Sequence, residues 1–197
     1  EFVKVAAEYP QVIDAVSRHA VFKARQFMLK EKHTELVKEL IAEVKAMPVQ
    51  PWTGKKVIVA GILLEPNELL DIFNEFGLAI VDDDLAQESR QFRTDVPSGI
   101  DPFEQLAQQW QDFDGCPLAL NPDKPRGQML IDMTKKYKAD AVVVCMMRFC
   151  DPEEFDYPIY KPEFEAAGVR YTVLDLDIES PSLEQLRTRI QAFSEIL

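Results

Sequence analysis

The chain has 197 residues, 22 of them Lys or Arg and 34 Asp or Glu, for a formal net charge of −12 with both histidines neutral; 47% of it is hydrophobic. That length implies one domain with room for an appendage, and the apolar content excludes a disordered polyelectrolyte. With no large cluster of Lys and Arg there is little to gain from counterion release, so nucleic acid is not an expected partner.

The longest apolar stretches, Val57 to Leu64 and Ala141 to Met147, fall short of the ~20 residues of a membrane helix, so no membrane span is expected. Glu1-Phe2-Val3-Lys4 is neither a methionine start nor an export signal, and the chain reads as a piece of something longer. Three cysteines do not suit a disulfide framework, which points to a soluble protein in a reducing cytoplasm.

From Gln11 to about Met47 the pattern is helical, with Leu36, Val37, Leu40, Ile41 and Val44 at spacings of three and four, as in one long or two consecutive amphipathic helices. Pro48, Pro51 and Gly54 then break it. Residues 1–54 are thus expected to form a helical connector and linker, and residues 55–197 an α/β domain.

In that domain Val57-Ile58-Val59-Ala60-Gly61-Ile62 suits a strand buried on both faces. Pro66 opens a helix to about Phe76. Leu78 to Val81 is a second short strand ending in Asp82-Asp83-Asp84, followed by a loop through Pro97. Asp101-Pro102-Phe103-Glu104 starts a helix to about Phe113 as a capping box.

A loop rich in Gly, Pro and Asn, Asp114 to Pro125, leads into a helix through about Lys138, then a third strand, Asp140 to Met146. A fourth strand, Arg170 to Leu176, precedes a final helix with Leu183, Leu186, Ile190 and Phe193 on one face. The expected fold is a four-stranded, mainly parallel sheet flanked by helices, Rossmann- or flavodoxin-like.

Open parallel sheets bind ligands at the carboxyl ends of their strands, which draws attention to Glu65, the Asp82–Arg93 stretch and Cys150. The dinucleotide and Walker glycine patterns are both missing. Cys150 ends a strand and precedes Asp151-Pro152-Glu153-Glu154, where Asp151 can cap a helix and Glu154 can close the box. A helix N-terminus favours the metal-binding thiolate, whereas the adjacent acids oppose it. Cys150 therefore reads either as a ligand or as an inert, half-buried cysteine.

Cys145, inside the third strand, reads as core packing, and Cys116 lies in a loop where a ligand role competes with none. No CxxC is present, so a complete four-cysteine site cannot be built. His19 and His33 lack partners at metal-ligand spacing and read as surface or packing residues. Asp82-Asp83-Asp84 could bind a ribose or a metal, but reads more simply as a solvated acidic loop. Ser89 and Arg90 suit an anionic or carbonyl group of a substrate or its channel, the competing role for Arg90 being an ion pair to the acidic run.

The segment Val142-Val143-Val144-Cys145-Met146-Met147-Arg148-Phe149-Cys150-Asp151-Pro152-Glu153-Glu154-Phe155-Asp156-Tyr157-Pro158 resembles the 2-hydroxyacyl-CoA dehydratase D-component family. Glu184-Gln185, Thr188 to Phe193, Gly61 to Leu70 and Ala86-Gln87-Glu88-Ser89-Arg90 carry the same likeness, so it covers nearly everything after residue 54. It is nearest to a 2-hydroxyglutaryl-CoA dehydratase β subunit.

The resemblance implies a heterodimeric, oxygen-sensitive lyase of anaerobic amino-acid fermentation. Each subunit would hold a 4Fe-4S cluster by two cysteines of an N-terminal domain and one of the C-terminal domain, the position that Cys150 matches. The implied partners are an α subunit, an ATP-dependent iron-sulfur activator and an acyl-CoA substrate, with 2-hydroxyglutaryl-CoA as the expected acyl group. One injected electron would make the thioester a ketyl radical that expels the 2-hydroxyl, and the β cluster would relay that electron. Met146, Met147 and Phe149 would shield Cys150 from water, or simply pack in the core. The domain with the other two ligands is absent, so this piece alone is expected to be inactive and to lack a stable cluster. Competing expectations are a benzoyl-CoA reductase type subunit and a non-catalytic docking module.

Overall fold

The computed structural model describes residues 1–197 except 100, 120, 178, 180 and 181. Three helices come first, α1 (Phe2–Glu8), α2 (Ala15–Ala24) and α3 (Lys30–Lys45). The expected helical stretch from Gln11 to Met47 is thus two helices, broken between Ala24 and Lys30. Asp14 caps α2 by accepting from the Ser17 N–H at 2.8 Å, which removes one of the unpaired donors of the first turn.

The α/β part runs β1 (Lys55–Gly61), α4 (Asn67–Glu75), β2 (Leu78–Leu85), α5 (Pro102–Gln111), α6 (Arg126–Tyr137), β3 (Ala141–Met147), α7 (Asp151–Ala167), β4 (Tyr171–Leu176) and α8 (Leu183–Ile196). All strand pairs are parallel, in the order β2-β1-β3-β4. This is the flavodoxin-like form of the expected α/β fold.

Because β1 and β3 are central, their unbroken apolar runs are buried on both faces. Val57, Val59 and Val143 pack with Leu69, Leu70 and Phe73 of α4 and Leu186, Ile190 and Phe193 of α8. On the other face Ile58, Ala60, Val142 and Val144 pack with Leu130 and Ile131 of α6 and Tyr160 and Phe164 of α7. Each fully buried aliphatic side chain of this kind contributes about 1.5–3 kcal/mol.

The amino-terminal helices share a smaller core of Phe2, Val5, Phe22, Ile41 and Val44, and they also pack on the domain. α1 lies along β2 and α2 along α4, where Ala15 donates its N–H to Asn74 Oδ1 at 3.0 Å.

Two expectations are corrected here. Asp82, Asp83 and Asp84 are not a solvated loop: β2 continues through them to Leu85, and all three are buried. The pairing of β1 with β2 shifts by one residue after Val57, and such a bulge reverses the inside-outside alternation of the strand. Leu78, Ile80 and Leu85 therefore all join the α4/α8 core, while Asp84 points to α6 and α7. Nor does Asp151 cap the helix after β3; Cys150 is the cap residue and Asp151 the first helical residue, with no side-chain cap bond.

Gly61 ends β1 at a φ of 146°, and a Cβ built there would strike the Cys145 carbonyl. Gly61→Ala is therefore expected to destabilise the chain by about 2–4 kcal/mol, because the clash adds to the backbone penalty. Chemical denaturation of the two proteins checks this.

Candidate functional site

In the order β2-β1-β3-β4 the connections diverge between β1 and β3, so the ligand crevice of such a sheet lies outside the carboxyl ends of those two strands. At that end β3 gives way to a tight turn, Arg148 to Cys150. Phe149 has a φ of 64°, rare for a bulky residue, and its side chain is 92% exposed. The same turn tucks Cys150 in, at 8% exposed, as the cap residue of the 17-residue helix α7.

The carboxyl ends of β1 and β2 and the first turns of α6 and α7 also carry a buried lattice of charges. Asp84 is fully buried and is held by three arginines: Arg93 Nη1 at 2.7 Å, Arg126 Nε at 2.8 Å and Arg90 through Nε at 3.1 Å and Nη2 at 3.0 Å. Burial alone would raise the Asp84 pKa, but Arg126, Arg90 and Arg93 outweigh it and hold the carboxyl below its usual range.

Arg126 reaches onward to α7. Its Nη1 donates to Glu153 Oε2 at 2.6 Å and its Nη2 to Glu153 Oε1 at 3.2 Å, the paired geometry of a guanidinium on a carboxylate. Arg90 Nη2 adds a bond to the same Glu153 Oε1 at 3.2 Å and one to the Gly61 carbonyl at 3.0 Å.

The other face of β2 repeats the theme with α2. Arg18 pairs with Asp83 and Glu88, and His19 bridges Glu88 Oε1 at 2.7 Å and Glu65 Oε1 at 3.2 Å. Lys23 closes on Glu65 from outside. Burial would depress the His19 imidazolium, but the bond to Glu88 and the charges of Glu88 and Glu65 raise its pKa overall. Asp82 has no comparable cation, and burial together with the Asp83 charge pushes its pKa up to about 6.

The residues singled out from sequence fall as follows. Arg90 is 2% exposed and makes the ion pair with the acidic run; its Nη1 has no hydrogen-bond partner among the described residues. Ser89 is buried beside it and donates to the Asp83 carbonyl. Cys145 packs in the α4/α8 core, where burial pushes its thiol pKa up. Cys116 is half-buried in the loop before α6. His33 meets the Val21 carbonyl at 2.8 Å. His19 corrects the expectation of a surface or packing residue, since it is buried among carboxylates. Met146 packs in the α6/α7 core, whereas Phe149 is exposed.

Sequence reasoning missed Arg18, Glu88 and Arg126 as members of this lattice. One signal was present: Arg126 opens α6 right after Pro125, where the helix dipole disfavours a cation unless an anion meets it. Among the described residues no group of three or more His, Cys, Asp and Glu is placed to hold a metal. The described residues therefore do not by themselves make up a metal site, and Cys150 is the thiol at the start of α7.

The parallel order β2-β1-β3-β4 with helices on both faces defines an α/β protein of flavodoxin-like topology. Residues 1–197 match the family model described as 2-hydroxyglutaryl-CoA dehydratase, D-component, and the chain belongs to that family. It is 67% identical over 198 residues to the lactoyl-CoA dehydratase subunit beta of Anaerotignum propionicum, covering 100% of this chain and 53% of that protein. It is 43% identical over 197 residues to the (R)-phenyllactyl-CoA dehydratase beta subunit of Clostridium sporogenes, covering 100% and 52%. The (R)-2-hydroxyglutaryl-CoA dehydratase, subunit beta, of Acidaminococcus fermentans is 35% identical over 201 residues, covering 100% and 53%. The chain spans about half the length of these curated relatives. The family expected from the Val142–Pro158 segment is the family found.

Neighbouring acids of β2 should respond oppositely to neutralisation. Asp84→Asn leaves three guanidinium groups short of an anion and is expected to cost about 3–5 kcal/mol. Asp82→Asn should stabilise the chain at pH 8 by on the order of 2 kcal/mol. The Asp82 pKa is raised from 3.8 to about 6, so its neutral form is the one the fold favours, and stability is lost as pH rises through about 6. The gain from Asp82→Asn should therefore vanish below about pH 4. His19, also raised, adds a loss in the same direction at higher pH. Urea unfolding from pH 4 to 8 checks both signs.

Proposed function

We propose that this chain is the part of a 2-hydroxyacyl-CoA dehydratase β subunit that supplies one thiolate, from Cys150, to a 4Fe-4S cluster whose other ligands lie outside it. The observation that carries the reading is the lone Cys150 thiol, tucked against the first turn of α7 at the ligand-binding end of the sheet, in a chain 67% identical to a protein named as a dehydratase β subunit. The cluster would supply single electrons. That chemistry suits the reaction, because the proton lost in dehydration lies β to the carbonyl, where a closed-shell anion gains nothing from the thioester.

The chain's own residues have defined tasks in this reading. Cys150 would be one ligand, held at the N-terminus of α7. Glu153, in the first turn, is paired with Arg126 and Arg90, and Asp151 and Glu154 are solvent-exposed, where water screens them. Phe149, next to Cys150 in sequence, is exposed and offers an apolar edge for whatever covers the site. The remaining parts follow from the family: an α subunit, an ATP-dependent iron-sulfur activator, and a ketyl-radical route. In that route one electron adds to the thioester, the 2-hydroxyl leaves, the β proton is lost and the electron is returned. A cytoplasmic setting goes with it; no helix among the described residues is long and apolar enough to cross a membrane.

For the substrate, the relatives are named for lactoyl, phenyllactyl and 2-hydroxyglutaryl thioesters at 67%, 43% and 35% identity. This order favours a small, uncharged acyl group such as lactoyl over the 2-hydroxyglutaryl group expected from sequence.

Two measurements on the complete, anaerobically purified enzyme test the proposal. Cys150→Ser is expected to lose the β-subunit iron and sulfide and the turnover with it; unchanged iron would make Cys150 structural, as in a docking module. Turnover should favour lactoyl-CoA over 2-hydroxyglutaryl-CoA by at least about 10-fold in kcat/KM, a difference of about 1.4 kcal/mol; the reverse preference would overturn the substrate assignment.

A further inference from the structure

We infer that the outer face of α5 is a docking surface for the companion subunit of the enzyme, and that the surface it meets is apolar and rimmed by Lys and Arg; the inference rests on the β-subunit reading above and not on Cys150 as a ligand. α5 is an amphipathic helix turned inside out. Phe103, Leu106 and Trp110 recur at spacings of three and four, one stripe of a helix, and they are 84%, 54% and 72% exposed. No residue of α5 is buried. Its half-buried residues are instead polar, Gln105, Gln108 and Gln109, and Gln109 Nε2 donates to the Thr94 carbonyl at 3.0 Å.

A helix of 10 residues gains little from propensity alone, and the usual source of its stability is burial of its apolar stripe. In α5 that stripe faces away from both cores of the domain, so its cover comes from another surface. Trp110 meets Phe113 edge to face with ring centroids 5.6 Å apart. With Gln91 and Gln109 these rings line a hollow of about 230 Å³, and an exposed indole face also suits a cation.

Charge selects the occupant. From Thr94 to Asp123 the sequence holds six acids, Asp95, Asp101, Glu104, Asp112, Asp114 and Asp123, and no Lys or Arg. All six are exposed, and three belong to α5 and its two caps. The cations that bracket the stretch are turned to other partners: Arg93 reaches Asp84 and the Asp114 carbonyl, and Lys124 lies 3.7 Å from Asp156. Two copies docked by this face would set like charges against each other, in a chain whose net charge is already −12. A partner with a basic rim gains what a second copy loses. An apolar stripe with a Trp anchor inside a charged rim also has the make-up of a subunit interface, whereas a domain core excludes charge. That favours a separate chain over a further part of the same polypeptide.

The test uses the complete enzyme with both subunits. A photo-reactive phenylalanine analogue in place of Phe103 is expected to cross-link to the companion subunit; cross-links confined to β polypeptides, or none, would overturn the inference. Trp110→Ala is expected to raise the dissociation constant of the two subunits by at least about 10-fold. Glu104→Gln combined with Asp112→Asn is expected to flatten the weakening of association by salt. Unchanged affinity in the first variant or an unchanged salt profile in the second would also overturn it. Because these side chains are exposed, the variants should fold as the wild type does, which thermal unfolding checks, and the cross-link decides by itself if one does not. The failures are distinguishable: if no second subunit co-purifies with the wild-type chain, the β-subunit reading falls, whereas a companion that position 103 never reaches removes only the docking surface.

Discussion

Three consecutive acids at the buried end of a strand are the constraint around which this molecule is organised. A carboxylate taken out of water without a partner is far too costly to keep charged, so Asp83 and Asp84 each require a cation brought to them. Neighbouring residues of a strand face opposite ways, and the one-residue register shift before Asp82 sets which face each acid takes, so the demand is met from different directions. Asp83 is answered by Arg18 of α2, Asp84 by Arg90, Arg93 and Arg126. Both apolar cores lie beneath this layer and would pack in many related sequences; the charges specify which helix sits where.

The same layer explains how a surface-near thiol acquires a defined position. Parallel sheets leave their carboxyl ends to loops, and loops are the mobile part of a fold. Here the loop after β3 is only a short turn, and the helix it enters is held by side chains whose other ends are fixed in β1, β2 and α6. Rigid elements support the site, and the turn at Phe149 does the local steering.

Much of the fold was legible in the residues. The apolar runs at Val57–Gly61 and Ala141–Met146 announced buried parallel strands, and Leu186, Ile190 and Phe193 gave the buried face of the last helix. Cys150 stood out by its place between strand and helix, and the long motif around it led to the right family. What could not be read was long-range pairing of charge. Asp82-Asp83-Asp84 looks solvated in a linear reading because nothing nearby in sequence shows that Arg18 and Arg126 will arrive. A bulge has no sequence mark of its own in this strand, so the direction of each acid stayed hidden. His19 looked idle for the same reason: its partners lie 46 and 69 residues away.

The separations within the charge layer have a bearing on how the chain assembles. Arg18 meets Glu88 across 70 residues and Arg90 meets Glu153 across 63, so these bonds form only after distant loops have closed. A half-assembled sheet that buried β2 before α2 and α7 had docked would strand carboxylates in an apolar setting and would be driven back toward water. Partly folded states are therefore penalised, which sharpens the cooperativity of folding. Contacts that form this late act mainly on the escape rate from the native state, so the lattice serves as a kinetic lock as much as a thermodynamic one.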